Sequence, residues 1–370
     1  MGAKRFKELG KSSFWGEFLY QRAVPKGHFL RQLEEVIDWE VFSRRLVELY
    51  EGQGEVGRPP YDPVMLLKML LLAYLYNLSE RQVEAWVNDS LAAKYFLGLA
   101  VDEPAPDHST LSTFKRRLVE RGQEACLQEI LQEIIRQALA CGVQFGSVQV
   151  VDSTVIEADV NVAKEGQRQA AGQAPRDADA HWGVKGRQPV QQPGGETTER
   201  PQYFYGYKVH TSLNAEAELI TSVVVTAGNA PDGKQLTKLV VQDQAQGLPV
   251  ETYAADRGYD DTENHVWLEE RGLHSAIRLN RYRTAKQDKN KEVWLALRAT
   301  PQYQAGQAVR YKIERKYGEA KVYHGLRRCR YVGRLRCMLQ ACLTAVVLNL
   351  KRLVWLLRGV PFRGRATVSA

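Results

Sequence analysis

The sequence predicts an all-helical region followed by a mixed α/β domain, a sheet flanked by helices. Three observations lead there. Apolar residues recur at helical spacing from about residue 26 to residue 140. The period changes at Gly146, where "SVQVVDSTVIEADV" reads as a strand. After it the order is strand, insertion, strand, strand, helix, strand, helix, strand, helix, with no internal repeat.

Within the helical region, "HFLRQLEEVIDWEVFSRRLVELY" has one apolar face. "DPVMLLKMLLLAYLYN" is apolar nearly all round, which predicts a central helix with Pro63 near its start. Ser79 and Gln82 have capping-box spacing ahead of "SERQVEAWVND". Asp107 or Ser109 caps a further helix whose polar face carries Arg116 and Arg117. Beyond Gly146, "YFYGYKVHTSLNAEAELITSVVVTAGN" reads as a hairpin turning near residues 214–218. "KQLTKLVVQDQ" and "TENHVWLEERG" read as helices, "ETYAADRGY" as a short strand ending at Asp256, and "HSAIRLN" as another strand. Residues 163–201 hold six Gly, six Gln and four Pro, but no Ile, Leu, Phe or Met. Such a segment buries little apolar area and is expected to be a flexible insertion.

Composition bounds the function. The 370 residues suffice for two or three domains, and 44% apolar with 25% charged residues is ordinary for a soluble protein. A net charge of +8 suggests a polyanionic partner, nucleic acid or an anionic membrane. Five cysteines without C-x2-C spacing argue against a zinc site and read as reduced core or surface thiols of a cytoplasmic protein. The first residues lack a signal peptide's apolar run. The most apolar stretch, 337–357, is interrupted by Gln340, Asn349, Lys351 and Arg352, so it is expected to be a buried terminal helix and not a membrane span.

The chemistry is carried by carboxylates. Asp152 lies in an apolar run of Val148, Val150, Val151, Val155 and Ile156, where a charge is costly unless paired, hydrogen-bonded or on a metal. Asp256 likewise ends an apolar strand. Either one alone reads as a turn or cap residue. Two strand-end aspartates followed by Glu314 on a basic helix carry more together, since strand ends are where sites are built in such sheets. Oxygen donors of this kind suit Mg²⁺ or Mn²⁺. Two ions about 3.5–4 Å apart would clamp both oxygens of a phosphate displacement.

Glu314 stands in "RYKIERKYGEAKVYHGLRRCRY". Residues 310–336 hold ten Lys or Arg against two acids, Glu314 and Glu319. At about 100° per residue Arg310, Glu314 and Lys321 share one helix face. An ordinary i,i+4 salt bridge explains Arg310 with Glu314. It leaves the basic excess unexplained, because unpaired like charges repel unless a polyanion is near.

Arg310, Glu314 and Lys321 at these intervals resemble the Tyr-Arg-Glu-Lys signature of bacterial insertion-sequence transposases of the DDE type, in the insertion-sequence-four and -five clan. "VVDST" around Asp152 and "ADRGYD" around Asp256 resemble the family's two aspartate motifs. "PDHSTLSTFKRRL" and the apolar helix before it resemble its N-terminal helical domain, so the likeness spans roughly residues 26–353. Gln307 stands where the signature has Tyr, with Tyr311 and Tyr303 as candidates to replace it, and the insertion is unusually long.

The resemblance implies a helical domain for DNA binding and dimerisation at 1–140 and an RNase H-like catalytic domain at 146–358, interrupted by the flexible insertion 163–201. A disordered tail at 359–370 would follow. It implies that Asp152, Asp256 and Glu314 are the catalytic metal ligands for two Mg²⁺ ions, with Mn²⁺ able to substitute. Arg310 and Lys321 would hold DNA phosphates near the cleaved end, and Arg327, Arg328, Arg330, Arg116 and Arg117 would add DNA contacts. Lys208 and His210 would support the ligands from behind, His210 being as readily a core or surface residue. The activity would be metal-dependent cleavage at transposon ends and strand transfer by the freed 3′-hydroxyl. The partners would be double-stranded DNA with terminal inverted repeats, target DNA and a second copy of the chain, in the prokaryotic cytoplasm at the nucleoid and with no membrane. Two other classes stay open: a two-metal nuclease of the same fold, and a non-catalytic regulator using residues 79–89 and 107–122 as a helix-turn-helix. A small-phosphate hydrolase would have no use for the long basic surface.

Overall fold

The structure, a computed structural model, describes residues 6–7, 14–50, 59–191, 197–285 and 287–363. The chain divides into two compact units. The first holds residues 1–143, 323–325 and 343–370, and the second 144–322 and 326–342.

The first unit contains helices α1 (Phe14–Ala23), α2 (Phe29–Val36), α3 (Glu40–Glu48), α4 (Pro63–Leu75), α5 (Glu80–Asp89), α6 (Leu91–Leu97), α7 (His108–Arg117) and α8 (Gln123–Ala140). The α4 helix is central, with every residue except Val64 buried. Asp62 caps it by accepting the Val64 and Met65 N–H groups, with Pro63 just inside. Its buried Lys68 is tolerated because Glu34 accepts from Nζ at 2.7 Å, while the Trp39 and Phe96 rings lie against the ammonium. Ser79 and Gln82 close the capping box of α5, and Asp107 is the cap of α7. A consecutive helix-turn-helix is not formed, because α6 intervenes between α5 and α7.

The second unit contains β1 (Val148–Glu157), α9 (Val162–Ala170), β2 (His181–Gln191), β3 (Thr197–Asn214), β4 (Ile220–Ala227), α10 (Leu236–Gln244), β5 (Thr252–Ala255), α11 (Thr262–Glu269), β6 (His274–Ile277), α12 (Lys291–Ala299), α13 (Pro301–Val309), α14 (Tyr311–Tyr323) and α15 (Arg334–Arg358). Residues 343–358 of α15 group with the first unit. In β-sheet order β3, β1, β5 and β6 are neighbours, with β3 antiparallel to β1 and β1, β5 and β6 parallel. The long β3 pairs with β4 through residues 207–213 and with β2 through 197–206. This is the RNase H-like arrangement. One sheet face packs Val151, Ala255 and Ile277 against Leu236, Leu239 and Val240 of α10 and Leu268 of α11. The other packs Ala254 and Ala276 against Trp294 of α12 and Tyr303 of α13. The strand alternation of side chains produces this division.

The insertion is not featureless. Residues 163–201 supply most of α9, all of β2 and the start of β3, with 192–196 outside the described residues. Composition misleads here because backbone pairing and buried acids, not apolar side chains, hold the segment. Buried Glu165 accepts the Arg176 N–H, and buried Asp177 accepts the Tyr207 hydroxyl at 2.6 Å. Of the expected tail, residues 359–363 are described. Phe362 stacks edge-on against Phe29 and Tyr76, while residues 364–370 lie outside the described residues. Helix α15 is long and apolar enough to cross a membrane by those criteria, yet it is buried in protein over residues 337–350. Of the cysteines, Cys141 alone is exposed, and none forms a disulfide.

Candidate active site

Two adjacent parallel strands bring the aspartates together. Val151 of β1 is in register with Ala255 of β5, so the next residues, Asp152 and Asp256, leave the same end of the sheet side by side. Val151 and Ala255 face α10 and α11, so alternation turns Asp152 and Asp256 towards α13 and α14. Gly306 lets α13 approach closely, since a methyl group there would lie 2.6 Å from the Ala276 Cβ and 3.1 Å from that of Ala254. That contact sets the position of Arg310 and Glu314, which follow immediately.

The acids share one electrostatic environment. Burial, then the neighbouring Asp256 charge and then Glu314, push the Asp152 carboxyl up to about 7, against the opposing Ser153 N–H and Arg310. Asp152 Oδ1 accepts the Ser153 N–H at 2.8 Å, and Asp256 Oδ1 accepts the Gly258 N–H at 2.8 Å. Glu314 is 64% exposed and lies 3.8 Å from the Arg310 guanidinium, whose side chain is only 12% exposed. The Arg310 Nε is buried with no hydrogen-bond partner among the described residues.

The other expected residues divide. Half-buried Lys321 lies within charge reach of Asp152. Lys208 donates to Asp232 Oδ1 at 2.8 Å and to the Ala230 carbonyl at 3.0 Å. His210 is fully buried and held neutral, its pKa pushed down to about 4 by desolvation; it contacts the Tyr259 hydroxyl and Thr226 Oγ1 behind the aspartates. Arg327 is exposed on a turn whose backbone pairs with Glu157 at the end of β1. Arg328 does not project freely, because it lies 3.4 Å from Asp159 and donates to the Val160 carbonyl. Arg330 is half-buried, and its N–H donates to Gln340. In the first unit Arg116 is exposed, whereas Arg117 covers the Tyr50 ring at 4.2 Å. Arg117 and Arg328 thus have internal partners in the free protein, as does Arg327, whose Nε donates to the Lys321 carbonyl at 3.3 Å.

Three residues escape sequence reasoning. Gln307, at the signature's Tyr position, donates to the Ala255 and Ala276 carbonyls and ties the strand ends together. Tyr303 is a core residue and Tyr311 is exposed. Tyr317, one turn beyond Glu314, instead donates to the Asp152 carbonyl at 2.7 Å and meets Thr211 Oγ1 at 2.7 Å. Asp232 is a fourth carboxylate. It accepts from Lys208 and from Ser153 Oγ at 3.1 Å, and a methyl on Gly258 would lie 3.3 Å from it and 3.0 Å from Asp256. Its signal was only an Asp between Pro231 and Gly233 in a loop, which reads as a turn.

Asp232→Ala is expected to slow single-turnover DNA cleavage about 10- to 100-fold, the usual cost of losing a residue that orients ligands. Duplex binding and the melting temperature should barely change. A wild-type cleavage rate in this variant would remove Asp232 from the machinery.

The oxygen-only donor set of Asp152, Asp256 and Glu314 fits a hard divalent cation, and a cation would relieve the repulsion that raises Asp152. Among the described residues no three His, Cys, Asp or Glu stand close enough to hold an ion. The three carboxylates are therefore neighbours but not a closed ligand set. Glu314 remains 64% exposed, 3.8 Å from the nearly buried Arg310 guanidinium.

Comparisons with known proteins agree on one family. Residues 18–117 match the family described as "Transposase domain (DUF772)", and residues 144–350 match "Transposase DDE domain". Among solved structures, the piggyBac transposase synaptic complex with hairpin DNA is 9% identical at a TM-score of 0.36, over 93% of this chain and 76% of that one. The Mos1 transposase paired-end complex with left transposon end is 11% identical at 0.20, over 74% and 83%. Those likenesses are loose, and the assignment rests on the family matches, which cover more than half of the chain. With the strand-end aspartates, Glu314 and the basic helix behind them, the chain belongs to the DDE transposase family and is a DNA transposase.

Proposed function

We propose that this transposase cuts at the terminal inverted repeats of its element and joins the freed 3′-ends to target DNA. The observation that carries the reading is the convergence of Asp152, Asp256 and Glu314 in one electrostatic environment beside Arg310 and Lys321. DDE transposases generally use a divalent metal. Here Asp152, Asp256 and Glu314 would hold two Mg²⁺ ions, with Mn²⁺ able to substitute. When bound, these ions activate the attacking oxygen and offset phosphate charge. Arg310 and Lys321 bind the phosphate beside the cleaved bond, Arg327 and Arg330 extend the grip, and exposed Arg116 adds a contact from the helical unit. Tyr317 and Gln307 fix the backbone from which the ligands project. A homodimer would hold the two ends together, in the cytoplasm at the nucleoid.

The test uses a labelled duplex carrying the inverted repeats that flank the gene, with a target plasmid and Mg²⁺. End cleavage and end-to-plasmid joining are expected. Asp256→Ala and Glu314→Ala should abolish both and leave end binding nearly intact, because affinity comes mainly from phosphate contacts. Cleavage without joining would mean a nuclease of this fold, and robust cleavage by either variant would remove that residue from the site.

A further inference from the structure

The β2–β3 ribbon, residues 181–191 paired with 197–206, belongs to no part of the site so far described. It grows directly from the catalytic sheet. Gly206 of β3 pairs with both His181 of β2 and Glu157 of β1, five residues beyond Asp152. Three glycines let the backbones meet there. A methyl on Gly206 would collide with the Ile156 carbonyl oxygen, and one on Gly183 with the Gly228 carbonyl oxygen. One on Gly228 would lie 2.5 Å from the His181 carbonyl oxygen. The Gly228 N–H also donates to the Gly206 carbonyl at 2.9 Å. The base of the ribbon is therefore fixed to the strand that carries Asp152.

The ribbon's side chains are unusual for an ordinary surface hairpin. Trp182 pairs with Tyr205 and Val184 with Tyr203, so all four lie on one ribbon face. Tyr205 is buried, but Trp182 is 39%, Val184 51% and Tyr203 65% exposed. The register then shifts between Val184 and Gly186, leaving exposed Lys185 as the extra residue of a bulge, with Gly186 at a φ of 155°. Bulges re-aim side chains. This one carries the Lys185 charge into range of Lys321 on α14: burial first, then Lys185 and Arg327, hold the Lys321 ammonium below its ordinary range, against Asp152 and Glu157. Gathering three cations at the edge of the aspartate site is unfavourable in the free protein and favourable once a polyanion lies across them. Exposed aromatic rings beside such cations are the surfaces on which bases and sugars of a nucleic acid settle.

We propose that the β2–β3 ribbon is a DNA-gripping arm that lays Lys185 beside Lys321 on a phosphate next to the cleaved bond and its Trp182 and Tyr203 rings against the adjoining nucleotides. The inference rests on the DNA reading above. It adds a segment that neither the aspartates nor the α14 helix requires.

The probe is a labelled 40-base-pair duplex of arbitrary sequence, titrated with full-length protein at several salt concentrations. Lys185→Ala should lower the slope of log affinity against log salt by about 1 and weaken binding about tenfold at 0.1 M salt. Lys185→Arg should restore both. Trp182→Ser with Tyr203→Ser should weaken binding several-fold without changing the slope, since stacking is not a counterion effect. Circular dichroism and melting should match wild type for all of them. Unchanged slope and affinity in Lys185→Ala would overturn the proposal, as would a double variant that alters the oligomeric state by light scattering and leaves DNA affinity intact. Asp256→Ala run alongside separates the two readings: if it loses cleavage and keeps binding while the ribbon variants behave as wild type, the ribbon inference falls and the transposase site stands. If wild-type protein binds no duplex, both fall.

Discussion

Asp152→Asn is expected to abolish DNA cleavage and at the same time to stabilise the metal-free protein. The first effect follows from losing a ligand oxygen and its charge. The second follows from where that charge sits. Burial and the Asp256 charge hold the Asp152 carboxyl near 7 in the folded chain, above its ordinary 3.8. A group that binds its proton more tightly when folded stabilises the fold while protonated, and that contribution is lost as pH rises from about 4 through about 7. Above that range ionised Asp152 costs the folded state up to about 4 kcal/mol. Asparagine carries no charge and keeps the shape. Urea unfolding in chelator should therefore show Asp152→Asn more stable than wild type by about 1–4 kcal/mol at pH 8 and nearly equal to it at pH 4. Adding Mg²⁺ should raise wild-type stability and leave the variant largely unmoved, since an ion bound only by the folded state stabilises it by mass action. A variant less stable than wild type at pH 8 would show that Asp152 is a structural cap and not a strained ligand.

Arg310→Ala and Lys321→Ala are each expected to slow single-turnover cleavage about 100-fold at saturating protein, the usual scale for removing one positioned charge from a phosphate transition state. Arg310 lies close to Glu314 with its Nε buried and without a hydrogen-bond partner among the described residues, and Lys321 lies within charge reach of Asp152. These are groups that a phosphate would complete. Each loss should also lower the salt slope of duplex binding by about 1. Arg327→Ala, on an exposed turn, should lower the slope and spare the bound-state rate. This contrast separates the cations at the reacting phosphate from those that only bind backbone. If Arg310→Ala and Lys321→Ala change neither rate nor slope, α14 is a solvated face and the assignment of Glu314 loses its support.

Local signals sufficed for part of this protein. The aspartates declared themselves because each interrupts an apolar strand, where a charge has no cheap reason to be. Glu314 declared itself because a segment, residues 310–336, with ten bases and two acids is self-repelling without a polyanion, although the structure divides that segment between α14, a turn and the start of α15. The apolar α4, its Asp62 and Pro63 start, and the Ser79–Gln82 box were legible because capping and periodicity act within one turn. Composition misled at residues 163–201, since it counts apolar side chains, whereas the ribbon is paired by ladder hydrogen bonds and close-packed glycines and the segment before it by the buried acids Glu165 and Asp177.

By itself the sequence pointed to the family through its motifs, to the helical and α/β halves through periodicity, and to three acids as candidates through residue type at fixed spacing. Only the tertiary structure decided which groups meet. Asp232 reaches Ser153 and Lys208 across 79 and 24 residues, and Tyr317 reaches the Asp152 carbonyl across 165. It also decided that Arg117 and Arg328 have internal partners, and that residues 343–358 join the helical unit. Such pairings depend on strand register and on how closely glycine and alanine let a helix approach a sheet. Neither is written in any local run of the chain.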